Sequence, residues 1–229
     1  MSDDPVLLIT GASSGIGAAA ARQAAAEGWR VVVAARSEDK LGELAGELGE
    51  ERAVALRCDV QSWDDQQAAV STALDSFGRL DASLANAGFG AKRGFLEEEV
   101  DFWREMILTN VYGAALSIRA ALTHFREQGR GHMLLTSSVA GRRALPGSLY
   151  SATKFAVTAM GEALRQEVSD SDIKVTLIEP GMVDTPFFDE PKPDGLRADD
   201  IARAVMFALS QPAHVDVNEV LVRPIRQPL

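Results

Sequence analysis

The chain has 229 residues, of which 46% are hydrophobic, and this fits one large α/β domain with a buried core. Its formal net charge of -10 at pH 7 argues against broad binding to nucleic acid or anionic membranes, because both attract basic proteins. A single cysteine, Cys58, and three histidines exclude an internal disulfide framework, and we expect no metal site. No apolar run approaches the roughly 20 residues of a membrane helix, and the chain starts without a basic, apolar leader, so we expect a soluble cytoplasmic protein.

Short β-rich runs alternate with longer helical patterns along the chain. The predicted strands lie at 6–9, 30–34, 53–58, 80–85, 132–136, 174–178 and 217–222, and the predicted helices at 15–27, 38–48, 62–77, 100–126, 151–169 and 198–211. Strands separated by crossover helices indicate a parallel sheet covered on both faces. The sequence therefore predicts one Rossmann-type, doubly wound α/β domain over 1–229, with about seven strands.

The turn after the first strand carries glycines at positions 11, 15 and 17. Gly11 permits a turn that side chains would crowd, Gly15 lets a phosphate approach the backbone, and Gly17 lets the helix lie close to the strand. Free amides at the start of that helix attract an anion. The turn lacks the lysine of an ATP-type phosphate loop, so it favours a dinucleotide over a nucleoside triphosphate; a tight turn without a ligand is the alternative.

The end of the second strand indicates which dinucleotide. An acidic residue there would bind the 2′-hydroxyl of NAD, but this chain has Ala35 followed by Arg36. A guanidinium can hold a 2′-phosphate, with hydroxyl contacts from Ser13 and Ser37, so NADP is favoured over NAD. The alternative is a solvated Arg36 in the loop before a helix. Asp59 is placed to accept a hydrogen bond from the adenine amino group or to act as a turn residue.

Downstream, Tyr150 and Lys154 are four residues apart, which places them on one face of a helix. A neighbouring cation favours the phenolate and lowers the pKa of a tyrosine, so Tyr150 is a credible acid/base. Ligands in such sheets bind beyond the carboxyl ends of the strands. Small or polar residues follow three of the predicted strands, namely Asn86-Ala87-Gly88, Ser137-Ser138 and Pro180-Gly181.

Together with the glycine turn and Asn110, these motifs resemble the compact, single-domain branch of the short-chain dehydrogenase/reductase family over nearly the whole chain. The resemblance implies that Tyr150 is the general acid/base and that Ser138 orients the substrate oxygen. It also implies that Lys154 lowers the pKa of Tyr150 and binds the nicotinamide ribose, and that Asn110 holds a water connecting Lys154 to solvent.

The resemblance further implies that Ile16 packs under the cofactor, that Asn86 and Gly88 line its cleft, and that Val183 and Thr185 contact the nicotinamide carboxamide. The complete expected cofactor set is Gly11, Ser13, Ser14, Gly15, Ile16, Gly17, Arg36, Asp59, Val60, Asn86, Ala87, Gly88, Tyr150, Lys154, Pro180, Gly181, Val183 and Thr185.

The position of the catalytic serine departs from the family pattern. Many members place it thirteen residues before the tyrosine, a separation that Ser137 has, whereas Ser138 lies twelve residues before Tyr150. We assign Ser138, because residues 138–141 reproduce the family's Ser-x-x-Gly pattern and a deletion within 146–149 explains the shorter spacing. Ser137 remains the alternative.

The expected substrate loop is short, since only residues 186–197 separate Thr185 from the next predicted helix. Such a loop leaves an open cleft or needs a partner chain to close it. Arg142 and Arg143 either meet an acidic substituent or are solvated. The expected apolar wall, for which ordinary packing is the alternative, comprises Phe89, Leu145, Leu149, Met182, Phe187 and Phe188.

The expected function is an NADP(H)-dependent oxidoreductase that interconverts a small carbonyl compound and its alcohol, with no nucleic-acid or membrane partner. The alternative is a non-catalytic NADP-binding sensor or scaffold, which is expected to have lost Tyr150 or Lys154. Epimerases and dehydratases of the extended branch normally need a C-terminal substrate domain. The resemblance also implies a homodimer or homotetramer, formed through helices 100–126 and 151–169 and the last strand.

Overall fold

The computed structural model describes residues 3–227. Seven parallel strands form one sheet in the order β3-β2-β1-β4-β5-β6-β9, and β7 pairs with β8 in a separate two-stranded ribbon. The predicted doubly wound sheet is thereby confirmed. The strands are β1 Val6–Thr10, β2 Arg30–Ala35, β3 Ala53–Arg57, β4 Ala82–Ala85, β5 Arg130–Thr136, β6 Asp172–Pro180, β7 Val183–Asp184, β8 Leu196–Arg197 and β9 Glu219–Val222.

Helices cover both faces of the sheet. They are α1 Gly15–Ala26, α2 Glu38–Leu48, α3 Trp63–Phe77, α4 Val100–Ile107, α5 Ala114–Gln128, α6 Leu149–Glu167 and α7 Ala198–Leu209, with a π-helical turn at Leu108–Gly113 and a 3₁₀ turn at Val139–Gly141. Side chains of α1, α2 and α7 pack in one core layer, and those of α3, α5 and α6 pack in the other. Each crossover helix buries one apolar face on the sheet, which is why the alternation of strands and helices predicted this architecture.

The central strand β1 supplies both core layers. Leu7 and Ile9 face the layer of α1 and α7, whereas Val6 and Leu8 face the layer of α3 and α5. This is the two-residue period of a strand that is buried on both sides. Small side chains let α1 lie close to the sheet, and its helical alanines Ala20, Ala21 and Ala24 are fully buried.

The ends of the predicted elements differ from the observed ends by at most two residues. Helix α6 begins at Leu149 rather than 151, because Ser148 Oγ accepts a hydrogen bond from Ser151 N at 3.2 Å and caps the helix. The predicted helix 100–126 is continuous but contains the π turn. The pairing of β7 with β8, which was not predicted, closes the base of the loop at 186–195.

Within the described residues, one helical stretch, 100–128, is long and apolar enough to cross a membrane by length and composition. In the most apolar 18-residue segment of this stretch, 44% is buried inside the protein. Its α5 part packs on β5, on β4 and on α3. These contacts are those of a core helix in an α/β domain.

Candidate active site

A cleft of about 930 Å³ runs along the edge of the sheet where the parallel strands end. Its walls come from the turn after β1, the end of β2, and the segments that follow β3, β4, β5 and β6. This edge is where open α/β sheets bind ligands. The structure therefore brings most of the expected site residues into one continuous cleft.

The glycine turn forms the floor of the cleft at the start of α1. Gly11 has φ +67° and a Cβ there would lie 2.7 Å from Ala87 Cα, so no side chain fits. Gly15 has φ +53° and faces Thr185, whose Cβ would be 3.3 Å away from a Cβ at Gly15. Gly17 does not line the cleft; a side chain at Gly17 would clash with the carbonyl oxygen of Gly11, so its role is close packing of α1.

Asn86 ties three strand ends together. Its Nδ2 donates to Thr10 O at 3.2 Å and to Gly11 O at 3.3 Å, and its Oδ1 accepts from Thr136 Oγ1 at 3.2 Å. Its backbone N–H donates to Thr10 Oγ1 at 3.1 Å. The amide therefore fixes the ends of β1, β4 and β5, while Ala87 and Gly88 line the cleft beside it.

The end of the cleft beside β2 carries hydrogen-bond donors that have no partner among the described residues. The side chains of Ser13, Ser14, Arg36 and Ser37 line this end and make no hydrogen bond or ion pair with any residue of 3–227. Ser14 and Ser37 are the N-caps of α1 and α2, yet neither side chain caps its helix. These groups are available to an anionic ligand, as are the N-terminal amides of α1.

Asp59 lies in the turn after β3, where its Oδ1 accepts from Gln61 N at 3.0 Å. This is the turn role that the sequence left open as an alternative, and Asp59 also lines the cleft. Val60 beside it is buried and lines the cleft. Cys58 is buried, and it follows β3 instead of ending that strand as the predicted range 53–58 had it.

Tyr150 and Lys154 lie in the first two turns of α6, with Lys154 Nζ 5.7 Å from the centre of the Tyr150 ring. Lys154 is almost fully buried, donates to Thr136 O at 2.7 Å, and burial lowers its pKa to about 8. Burial raises the pKa of Tyr150 to about 12, an effect that a hydrogen bond with Ser138 partly offsets. This differs from the expected lowering by Lys154, because desolvation of the phenolate is the larger effect.

The two adjacent serines point to different partners. Ser137 Oγ bonds Lys154 O at 3.1 Å and Thr158 Oγ1 at 2.8 Å, so it is buried against α6. Ser138 Oγ accepts from Ala140 N at 3.1 Å and donates to Pro180 O at 3.3 Å, and Ser138 is the serine that lowers the pKa of Tyr150.

Asn110 lies in the π-helical turn, behind the cleft wall. Its Oδ1 accepts from Phe89 N at 3.0 Å, and its Nδ2 donates to Phe89 O at 2.9 Å and Thr153 Oγ1 at 3.1 Å. These bonds hold the chain after β4 against α6, where Thr153 Oγ1 in turn donates to Tyr150 O at 2.8 Å. π-helical turns of this kind occur mainly at functional sites.

The far wall of the cleft is the segment after β6, with Pro180, Gly181, Val183 and Thr185 in the expected positions. The C-terminal tail folds back over this segment: Gln227 Oε1 accepts from Met182 N at 2.8 Å and lines the cleft. No motif in the sequence indicated Gln227.

The substrate end of the cleft contains two aromatic pairs. Phe89 and Phe102 lie edge to face with ring centres 5.2 Å apart, and Phe187 and Phe188 do so at 5.1 Å. Leu145 and Met182 also line this end, whereas Leu149 does not. Leu149 is the first residue of α6 and directly precedes Tyr150, so the two side chains point about 100° apart around the helix axis. Cleft residues that the sequence analysis missed are Gly90, Ala91, Lys92, Arg93, Glu98, Phe102 and Asp189.

Arg142 forms ion pairs within the protein. Its Nε donates to Glu179 Oε1 at 2.7 Å, and its other nitrogen pairs with Glu219. Glu179 is almost fully buried, and burial raises its pKa. Arg142 therefore fits neither alternative that the sequence left open, substrate contact or a solvated side chain, because this guanidinium neutralises a buried carboxylate between β6 and β9.

The profile of the short chain dehydrogenase family matches residues 5–194. The chain belongs to the short-chain dehydrogenase/reductase family. An uncharacterized oxidoreductase of Staphylococcus haemolyticus is 41% identical over 224 residues, which cover 96% of this chain and 97% of that protein. Another, from Staphylococcus aureus, is 37% identical over 226 residues, covering 97% and 98%.

Two solved structures extend the comparison. The alcohol dehydrogenase from the archaeon Thermococcus sibiricus, complexed with 5-hydroxy-NADP, superimposes with a TM-score of 0.91 at 33% identity and covers 99% of both chains. The serine dehydrogenase from Escherichia coli superimposes with a TM-score of 0.90 at 28% identity, covering 98% of this chain and 100% of that chain. This short-chain dehydrogenase/reductase is thus an oxidoreductase of CH–OH or C=O groups, and its substrates are small molecules.

The residues present fit the nicotinamide dinucleotide that the family implies. Gly11 and Gly15 leave backbone exposed at the N-terminus of α1, where a pyrophosphate binds in such folds. Unused hydroxyl and guanidinium donors line the adenosine end. Within 3–227, no group of three or more His, Cys, Asp or Glu side chains is arranged to hold a metal ion.

Proposed function

We propose that the protein is an NADP(H)-dependent oxidoreductase of the compact branch, which interconverts a carbonyl compound and its alcohol with Tyr150 as the acid/base. The observation that carries the proposal is the grouping of Tyr150, Ser138 and Lys154 in one cleft: all three line it, and Lys154 Nζ lies 5.7 Å from the centre of the Tyr150 ring.

The state of each side chain supports a role for Tyr150 in donating a proton. With a pKa of about 12, the phenol is protonated at neutral pH and can protonate an oxygen that gains negative charge as a carbonyl is reduced. Ser138 lies beside the phenol and orients the same oxygen. Lys154 adds positive charge, which stabilises the phenolate left after the transfer. When bound, the nicotinamide supplies the hydride that the carbonyl carbon gains, or accepts it in the reverse direction.

Cofactor choice rests on the end of β2. Ala35 offers no carboxylate to repel a 2′-phosphate, and Arg36 has a guanidinium that no other described residue binds, with Ser13 and Ser37 nearby. Solved relatives of this fold were obtained with NADP in some cases and with NADH or NAD in others, so the end of β2 is what favours NADP here. We propose that NADP is preferred.

The remaining cofactor contacts follow the expected set. Gly11, Ser14 and Gly15 would bind the pyrophosphate, Ile16 would pack beneath it, and Asp59 Oδ2 would accept from adenine. Val60, Asn86, Ala87 and Gly88 would line the middle of the cleft, and Lys154, Pro180, Gly181, Val183 and Thr185 the nicotinamide end, with Asn110 supporting Lys154 from behind.

The alternative of a non-catalytic sensor or scaffold is not favoured, because Tyr150 and Lys154 are both present and the relatives are oxidoreductases. We further propose a cytoplasmic homodimer or homotetramer. Exposed apolar side chains on the long helix and on α6, among them Ile107 and Phe155, support pairing of these helices, and Leu221 of β9 supports a second contact. A monomer mass in light scattering at micromolar concentration would rule out this assembly.

The experiment is a panel of aldehydes, ketones and alcohols, followed by nicotinamide absorbance with NADPH and with NADH. Tyr150→Phe is expected to lower kcat by about 10²- to 10⁴-fold while NADPH still binds, because it removes only the proton carrier. Tyr112→Phe is the matched control, since these are the two tyrosines of the chain and Tyr112 is exposed. Turnover by Tyr150→Phe at the level of Tyr112→Phe would refute the assignment.

A further inference from the structure

The ring of Phe187 covers Tyr150. The two rings meet edge to face, with centres 5.5 Å apart and planes at 62°. The tip of the Phe187 ring rests on Gly90: a Cβ at Gly90 would lie 2.8 Å from Phe187 Cζ. The absence of a side chain at position 90 is therefore what lets the ring reach Tyr150.

The loop that carries Phe187 is held in place by its own bonds. Phe187 N donates to Thr185 Oγ1 at 3.4 Å, and Phe188 N donates to Thr185 O at 3.1 Å. Phe188 packs on Phe187, and Lys192 lies over the Phe188 ring at 5.3 Å. The β7–β8 pairing closes the loop at its base. The Phe187 side chain thus has a defined position, although 40% of its surface is exposed.

Under the proposed function, the position of the Phe187 ring determines how much space a substrate has beside Tyr150. A carbonyl group that reaches Tyr150 must place its two substituents beside the phenol, and the ring of Phe187 fills part of that space. We propose that Phe187, seated on Gly90, limits one substituent of the carbonyl to the size of a hydrogen or a methyl group. The substrates are then aldehydes and methyl ketones, with the larger group in the rest of the cleft, which Phe89 and Phe102 line.

The first test compares kcat/KM for methyl, ethyl and propyl ketones that share one larger group. Phe187→Ala is expected to raise the propyl-to-methyl ratio of kcat/KM by about tenfold or more, and Phe187→Leu by less, because pocket contacts of this size discriminate by factors of 10 to 200. Phe102→Ala is the matched control, since Phe102 is also a cleft-lining ring with 40% exposure but has no ring contact with Tyr150. An equal rise in the ratio for Phe102→Ala, or an unchanged ratio for Phe187→Ala, would overturn the proposal.

The second test needs neither substrate nor cofactor. In a Tyr112→Phe background, Tyr150 is the only tyrosine, so phenolate absorbance during an alkaline titration reports Tyr150 alone. Removing the covering ring with Phe187→Ala is expected to lower the pKa of Tyr150 from about 12 toward its ordinary value near 10. An unchanged pKa would show that Phe187 does not cover the phenol. This result stands even if no carbonyl is reduced, so failure here is distinguishable from failure of the proposed function.

Discussion

The cleft has two halves that are built differently. The strand-end half is formed by residues 10–17, 86–88 and 136–138, and the loop half is formed by residues 89–99 and 186–195. In the strand-end half, buried polar groups bind one another: Asn86 joins Thr10 to Thr136, and Lys154 donates to the carbonyl oxygen of Thr136 at 2.7 Å. In the loop half, large apolar side chains are exposed, and Leu96 is 97% exposed.

This contrast separates the common chemistry of the enzyme from its substrate choice. Parallel strand ends are positioned by the hydrogen bonds of the sheet, so groups attached to them keep fixed distances. Loops on such a scaffold change length and composition without disturbing it, and they carry specificity for that reason. Substitutions in the strand-end half should therefore change turnover or cofactor binding for every substrate, and those in the loop half should change the order of substrate preference.

The largest expected effect separates Ser138 from Ser137. Ser138→Ala removes the hydroxyl that lines the cleft with Tyr150 and lowers the pKa of that phenol, so kcat should fall by about 10²-fold for every substrate. Ser137→Ala leaves Thr158 Oγ1 and Lys154 O without their partner, which should lower the unfolding free energy by about 1 kcal/mol with a smaller change in kcat. Steady-state kinetics and urea unfolding of both variants measure this. The opposite order of kcat values would move the catalytic role to Ser137.

The next effect concerns the adenosine end. Arg36→Ala should weaken NADPH binding by about tenfold or more at low salt, because a charge-assisted hydrogen bond contributes roughly 1.5–3 kcal/mol. Adding Ala35→Asp should improve NADH relative to NADPH. Arg126→Ala is the control, since Arg126 lies at the opposite edge of the sheet, near the end of α5, and pairs with Glu167. Equal NADPH affinity in Arg36→Ala and Arg126→Ala, measured by fluorescence titration, would place the phosphate contact elsewhere.

A smaller effect is expected from the packing of α1. A side chain at Gly17 would clash with Gly11 O and lie 2.9 Å from Ala12 Cα, so Gly17→Ala should cost about 1–3 kcal/mol of stability. Gly42 in α2 meets no other group, and Gly42→Ala should instead stabilise the fold by about 1 kcal/mol through helix propensity. Thermal unfolding of the two variants gives the comparison; destabilisation of the same size in both would mean that α1 packing is not the cause.

The sequence predicted the strand-end half well because its signals are local. Residues 11–17 specify a turn by their glycines, and the four-residue spacing of Tyr150 and Lys154 specifies a shared helix face. The loop half depends on contacts between distant segments. Gln227 reaches the cleft only because the tail folds over Gly181, and no local pattern indicates this.

Errors in the sequence analysis have the same origin. The sequence suggests Arg142 as a substrate contact because it lies close to the serine along the chain, whereas its partner Glu179 is on β6. The sequence also predicts Leu149 in the apolar wall, but the Ser148 cap starts α6 earlier and leaves Leu149 outside the cleft. The pKa of Tyr150 depends on burial, which spacing along a helix does not reveal.

The smallest expected effect concerns a buried histidine in the sheet below the strand-end half. His132 of β5 is buried and shares a 2.8 Å hydrogen bond with Thr176 Oγ1 of β6. Because the Thr176 hydroxyl donates to Val217 O at 2.6 Å, the His132 Nε2–H is the donor in that bond. Burial, with a smaller contribution from the Lys174 cation, lowers the pKa of His132 to about 3.

The folded protein therefore keeps this imidazole neutral, whereas the unfolded chain binds a proton below its ordinary pKa of 6.5. Stability from His132 is fully present above pH 6.5 and is lost as the pH falls toward 3, by about 1 kcal/mol between pH 7 and 5.5. His132→Gln keeps a neutral donor and should remove that part of the pH dependence. Urea unfolding of both proteins at pH 7 and 5.5 isolates it, because the carboxylates contribute equally to each. Parallel losses in the two proteins would show that His132 is not the group that responds.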